Sequence, residues 1–202
     1  MSVPARPRAG DRDTMRVFLA VFPPPEVQAA AAAAIEALRA STGGAGVSWV
    51  RQANLHFTLR FLGELGEDGA RRAGEAAREA AAGQPPFALA LEGLGAFPSA
   101  ARARALWIGA SEGAESLRAL ARALDAALKT RGFGPADKPF TPHLTIGRVR
   151  ERGADWAAVL ARIPSVRASF TVERILVVKS TLSPGGSLYK TLEELPMGGS
   201  SD

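Results

Sequence analysis

The two histidines of this 202-residue chain stand in matching strings, His56-Phe57-Thr58-Leu59 and His143-Leu144-Thr145-Ile146. With nine threonines in the chain, chance puts Thr two places after both histidines at a frequency of roughly 0.002, so the strings read as a duplicated site. On a β-strand, residues two apart share a face, about 6.6 to 7 Å from each other along the chain. His56 and Thr58 then point one way, as do His143 and Thr145, while Phe57, Leu59, Leu144 and Ile146 turn to the other side and bury. Two such strands side by side present two imidazoles and two hydroxyls. That set suits hydrolysis of a phosphodiester without metal. One neutral imidazole takes a proton from water, one imidazolium gives a proton to the departing oxygen, and the hydroxyls donate to the nonbridging oxygens. The reference pKa of histidine, near 6.5, makes both protonation states available around neutral pH.

Competing chemistries have less support. A chain without cysteine forms no disulfide, thiolate metal site or cysteine nucleophile. Two histidines lack the third and fourth ligands of a metal site, and neither string carries a carboxylate at ligand spacing, so no metal and no cofactor are expected. Hydrolysis through a serine nucleophile is discounted. A lone His-x-Thr on a half-buried strand is most often structural; the matched pair is what raises the functional reading. The net charge of +5 and pI near 10.4 favour an anionic partner, nucleic acid first. Against this, only 4 of the 25 basic residues are lysines, and abundant Ala, Arg, Gly and Pro resemble biased codon usage.

The elements that must position these residues can be read from periodicity and breakers. Arg16 to Phe22 reads as a buried strand, Pro24 as a helix first turn, and Glu26 to Arg39 as an alanine-rich helix closed near Gly43-Gly44. Strands follow at Val47 to Arg51 and His56 to Leu62, then a helix from Ala70 to Ala82 ahead of Pro85-Pro86. Phe87 to Phe97 and Ala105 to Gly109 read as strands, and Ala114 to Arg131 as a helix with Leu117, Leu120, Leu124 and Leu128 on one stripe. A strand from His143 to Arg148, a helix from Asp155 to Arg162, a strand from Ser169 to Lys179 and a short strand around Tyr189 to Leu192 complete the pass. Strand, helix and His-x-Thr strand recur, with nearly equal intervals from Phe18 to His56 and from Leu106 to His143. Two similar lobes facing one cleft are the expectation, within one domain because no linker divides the halves. Residues 1–14 are expected to be a flexible extension with Met15 as an alternative start, and residues 196–202 a flexible tail. No apolar run is long enough to span a bilayer and no secretory h-region occurs, so a cytoplasmic protein is expected.

Asn54-Leu55-His56-Phe57-Thr58-Leu59-Arg60-Phe61-Leu62-Gly63 and Phe140-Thr141-Pro142-His143-Leu144-Thr145-Ile146-Gly147-Arg148 resemble the paired signatures of the two-histidine (2H) phosphoesterases. The branch most resembled is that of the bacterial and archaeal RNA 2′,3′-cyclic phosphodiesterases, also called LigT-like proteins or 2′-5′ RNA ligases. The opening Met15 to Val21, Trp49-Val50 and the closing Val177 to Tyr189 are similar too, so the likeness covers residues 15–195, read as one bilobal domain. It implies an α+β fold of two pseudo-symmetric lobes, with antiparallel sheets lining a central cleft and helices on the outer faces.

It also implies opening of a 2′,3′-cyclic phosphate at an RNA end to a 2′-phosphomonoester. By the same resemblance His56 is the acid that protonates the leaving 3′ oxygen, His143 the base that activates water, and Thr58 and Thr145 hold the phosphate. Arg148 matches the arginine that closes the second signature and helps bind substrate. Strict alternation puts Arg148 opposite His143, and a bulge permitted by Gly147 would return it to the cleft. Arg60 has the right parity for the cleft but reads as a solvated side chain. Phe140, Trp49 and Tyr189 are aromatic enough to stack on a base, with core packing the commoner fate. The expected partners are RNA ends or nucleotides carrying a 2′,3′-cyclic phosphate, bound by a monomer with no membrane attachment. Two alternatives stand beside this reading: the reverse joining of tRNA halves as a 2′-5′ RNA ligase, and a noncatalytic RNA or nucleotide binder of the same fold.

Overall fold

The computed structural model describes residues 14–43, 46–151, 154–184 and 186–198. The expected extension, apart from Thr14, and residues 199–202 of the expected tail lie outside them, as does Gly44.

Nine strands and four α-helices are present among the described residues. In chain order they are β1 (Met15–Val21), α1 (Pro25–Thr42), β2 (Val47–Trp49), β3 (Phe57–Leu65), α2 (Glu67–Ala82), β4 (Phe87–Phe97) and β5 (Ala105–Ala110). Then come α3 (Ala114–Thr130), β6 (His143–Val149), α4 (Trp156–Arg162), β7 (Ala168–Val172), β8 (Arg174–Ser183) and β9 (Gly186–Pro196). The sheet runs β7-β4-β5-β6-β3-β1-β8-β9, with β2 also on β6, and every pairing is antiparallel. It divides into two quartets of one pattern. β3-β1-β8-β9 and β6-β5-β4-β7 each place the histidine strand at the seam and the strand preceding it in the repeat next to it.

The pairing corrects the repeat by one residue. Ala20 lies beside Thr58 and Leu19 beside Arg60, while Trp107 lies beside Thr145 and Leu106 beside Gly147. Leu106 is therefore the counterpart of Leu19 rather than of Phe18. The difference matters because neighbouring strand residues face opposite ways: Leu19 and Leu106 are buried among the helices, whereas Phe18 sits in a second apolar cluster on the other face with Ala20 and Val178.

Helices cover one face. Pro24 caps α1 with extended backbone, Pro25 occupies the first turn, and Gly43 ends it in the left-handed region at φ 67°, the conformation for which glycine has no steric penalty. α3 buries Leu117, Leu120, Leu124 and Leu128, the stripe expected from spacing. Small residues let α2 approach closely, with Ala73, Ala76, Ala77, Ala80 and Ala81 all buried against α3, β8 and β9. α1 packs on β6 and β7, and α3 on β3 and β4 as well as α2. No helix among the described residues is long and apolar enough to cross a membrane.

Three segments differ from the sequence reading. The stretch read as one strand over Ser169 to Lys179 is two, broken at Glu173, because β7 pairs with β4 in one quartet and β8 with β1 in the other. β9 extends well beyond Tyr189 to Leu192, since β8 offers it a partner along its whole length. Residues 196–198, read as the start of a flexible tail, are held in place. Pro196 ends β9, Met197 is buried, and the Met197 and Gly198 amides donate to Glu173 O and Ala81 O at 2.7 and 2.8 Å.

Candidate active site

The two quartets meet where Phe57 of β3 pairs with Leu144 of β6, both side chains fully buried. Continuing that register on the opposite face sets His56, just ahead of β3, across from Thr145, and Thr58 across from His143. The histidines thus occupy a diagonal, about 7–8 Å apart at the backbone. The expectation that both strings reach one face is met. Arg148 and His143 line a common cavity.

Both rings are oriented the same way. Nδ1 of His56 donates to the Asn54 carbonyl, and Nδ1 of His143 to the Thr141 carbonyl, each at 2.7 Å. This bond fixes the tautomer and leaves Nε2 of each neutral ring as an acceptor. At His56 the Thr58 hydroxyl donates to Nε2 at 2.9 Å. Sequence reasoning missed these two carbonyls, each of which lies two residues before its histidine.

The surroundings are apolar. Phe22 stacks on His56 with centroids 5.0 Å apart, Phe18 lies at 4.9 Å, and Tyr189 meets it edge-on at 5.4 Å. Phe97 stands perpendicular to His143 at 5.0 Å. Burial among these rings is the main cause that lowers the pKa of both histidines. The backbone acceptors oppose it, and the positive charge of Arg148, together with His143 in the case of His56, adds to the lowering. Phe18, Phe22 and Phe97 were not singled out from sequence. Tyr189 packs with Phe18 and His56, and Trp49 and Phe140 pack on the main core.

A shared irregularity decides which arginine reaches the cleft. Opposite β1, register advances from Thr58 to Arg60 while β1 moves by one residue, so Leu59 is a bulge; Ile146 is the matching bulge opposite β5. An extra residue reverses the face of all that follow. Arg148 therefore pairs with Ala105 on the same side as His143, which is the turn expected of it. Arg60 is thrown the other way, a correction to its reading as a solvated side chain of cleft parity. Only 11% of its side chain is exposed; it bonds Asp125 of α3 at 3.0 Å and the Gly134 carbonyl at 2.6 Å. Gly147 also acts through space: a Cβ there would lie 2.9 Å from the Trp49 ring and 3.0 Å from Val47.

A Gly-x-Ser-x-Gly string occupies residues 109–113, between β5 and α3. Ser111 forms no side-chain hydrogen bond to either histidine among the described residues, so the string lacks the base that a serine nucleophile requires.

Known proteins of similar sequence and fold exist. The family model of the 2′-5′ RNA ligase superfamily matches residues 23–183. An RNA 2′,3′-cyclic phosphodiesterase of Thermotoga maritima is 34% identical over 180 residues, covering 89% of this chain and 94% of that protein. A crystal structure of a Thermus thermophilus protein superposes with a TM-score of 0.77 at 32% identity, over 92% of this chain and 100% of that one. That of E. coli LigT complexed with 3′-AMP gives 0.73 at 26% identity, over 92% and 99%. With paired histidine strands at the seam of a two-quartet sheet and a family model matched over most of its length, this chain belongs to the 2′-5′ RNA ligase superfamily.

Proposed function

We propose that this protein opens the 2′,3′-cyclic phosphate at an RNA end, leaving a 2′-phosphomonoester, by acid and base catalysis with His56 and His143 and without a metal ion. The observation that carries the reading is the diagonal of two imidazoles with Nδ1 tied back to a carbonyl, which directs each Nε2 away from that carbonyl, that of His56 toward the Thr58 hydroxyl. The names of the relatives supply the substrate class. The metal-free route is part of the proposal because two imidazoles can supply both proton transfers.

In the proposed step, water attacks phosphorus in line with the 3′ oxygen. Nε2 of His143 takes the water proton, the P–O3′ bond breaks, and Nε2–H of His56 protonates O3′. Thr58, Thr145 and Arg148 hold the nonbridging oxygens, Arg148 through its planar fork. Burial disfavours the His56 imidazolium in the free protein, and the entering phosphodiester anion offsets that cost by attraction to the charged ring.

The test is a short RNA ending in a 2′,3′-cyclic phosphate, incubated in excess EDTA, with the product analysed for the position of the phosphate. A 2′-phosphate and a bell-shaped pH profile are expected. His56→Ala or His143→Ala should each lower turnover about 10²- to 10⁴-fold, or about 3 to 5 kcal/mol in the barrier. Full activity in either variant overturns the reading.

A further inference from the structure

The cavity beside His143 is larger than one phosphoryl group needs. Its volume is about 1160 Å³, beyond the roughly 300–1,000 Å³ of sites that enclose a small molecule. The β4–β5 connection, the segment before β6 and the residues after β6 form its walls. Its lining includes the apolar Phe97, Pro98 and Trp156, and its charged members are Arg102, Arg104, Lys138, Arg148, Arg150 and a single carboxylate, Glu151.

These cations differ from those elsewhere. The arginines of α1, α2 and α3, and also Arg131 and Arg174, have carboxylate partners. Among the described residues Arg102, Arg104, Lys138, Arg148 and Arg150 form no ion pair, and Arg150 reaches only the Ser48 hydroxyl, at 3.1 Å. On the other quartet the cleft-side cation, Arg16, is engaged by Glu64 at 3.7 Å and by the Phe61 ring at 5.3 Å. Lys179 pairs with Val17, whose side chain lies in the helix-side core, and so belongs to the face away from the cleft. Around the histidines, the positive charge without a carboxylate partner therefore lies in the cavity that Arg148 and His143 share.

Exposed cations sharing a cavity with apolar and aromatic side chains match a flexible chain of phosphates, with sugars and bases against the apolar groups. We propose that this groove holds the backbone of the single-stranded RNA bearing the reactive end, with Arg102, Arg104, Lys138 and Arg150 contacting successive phosphates, and that it thereby favours polynucleotide ends over mononucleotides. The inference rests on the function proposed above, and it adds the direction in which the chain leaves the site: along the β4–β6 quartet.

Binding and turnover separate the two ideas. Labelled single-stranded RNA with a 2′-phosphate end is titrated against the protein across a range of salt, with the matching 2′-phosphomononucleotide as comparison. A combined Arg102→Ala, Arg104→Ala, Lys138→Ala variant should bind RNA about 10- to 100-fold more weakly at 0.1 M salt, and its slope of log affinity against log salt should be shallower by about 2, at about 0.7 per lost phosphate contact. The ratio of RNA to mononucleotide affinity should fall with it. The charge-keeping Arg102→Lys, Arg104→Lys variant should retain the wild-type slope. A wild-type protein with no preference for RNA, or a variant with an unchanged slope, overturns the groove. Absence of turnover on any cyclic phosphate by a wild-type protein that still shows the slope change overturns the proposed reaction and leaves the groove standing.

Discussion

His56 and Arg60 lie four positions apart on adjoining backbone, yet they serve opposite faces of the sheet. The His-x-Thr pairs could be recognised from sequence because proton transfer restricts the residue types that can perform it. The fate of Arg60 could not, since parity counting assumes an unbroken ladder and Leu59 breaks it. Arg60→Ala is expected to lower stability by about 1–3 kcal/mol through the lost charged hydrogen bonds while turnover is kept; thermal melting and a steady-state assay on the same preparation would check this. The two carbonyls that hold Nδ1 of each ring belong to Asn54 and Thr141, and backbone acceptors carry no residue-type signal that a single sequence can display.

At the level of elements, strands and helices with their own periodicity were readable, as the leucine stripe of α3 and the limits of β4 show. What local pattern misses is a change of partner. Ser169 to Lys179 has no proline or glycine to interrupt it, and the break at Glu173 exists because β7 and β8 serve different quartets. The bulge at Ile146 depends on the same kind of nonlocal fit, with Trp49 of β2 lying over Gly147. Gly147→Ala should push β2 away from β6, costing about 1–3 kcal/mol as overpacking. Because Arg148 follows directly, affinity for inorganic phosphate should weaken as well, and paired melting and titration measurements would reveal both effects. Unchanged values for the two would contradict the packing role assigned to this glycine.

For the molecule as a whole, the buried histidines tie stability to pH. Each has a lowered pKa in the folded state, burial being the main cause, so the unfolded chain binds the proton first as pH falls below about 6.5 and the folded state is progressively disfavoured. The contribution is intact above that pH and is lost on descending toward the folded-state values. A His56→Gln, His143→Gln variant should accordingly lose less melting temperature than the wild type between neutral pH and pH about 5; equal losses would show that other groups govern the decline. Bound phosphate should reverse the effect by favouring the imidazolium, and calorimetry in buffers of different ionisation enthalpy would register proton uptake on binding. The sharing of helices between quartets has its own consequence, since α1 rests on β6 and β7 while α3 spans β3 and β4 and α2 rests on β8 and β9. Each half of the polypeptide therefore relies on the other for part of the cover over its strands, and the β1–β3 quartet is completed only by β8 and β9. Severed in the turn between α2 and β4, the two fragments should be insoluble when made separately and should regain a melting transition only when produced together, a complementation that a polypeptide built from self-sufficient modules would not need.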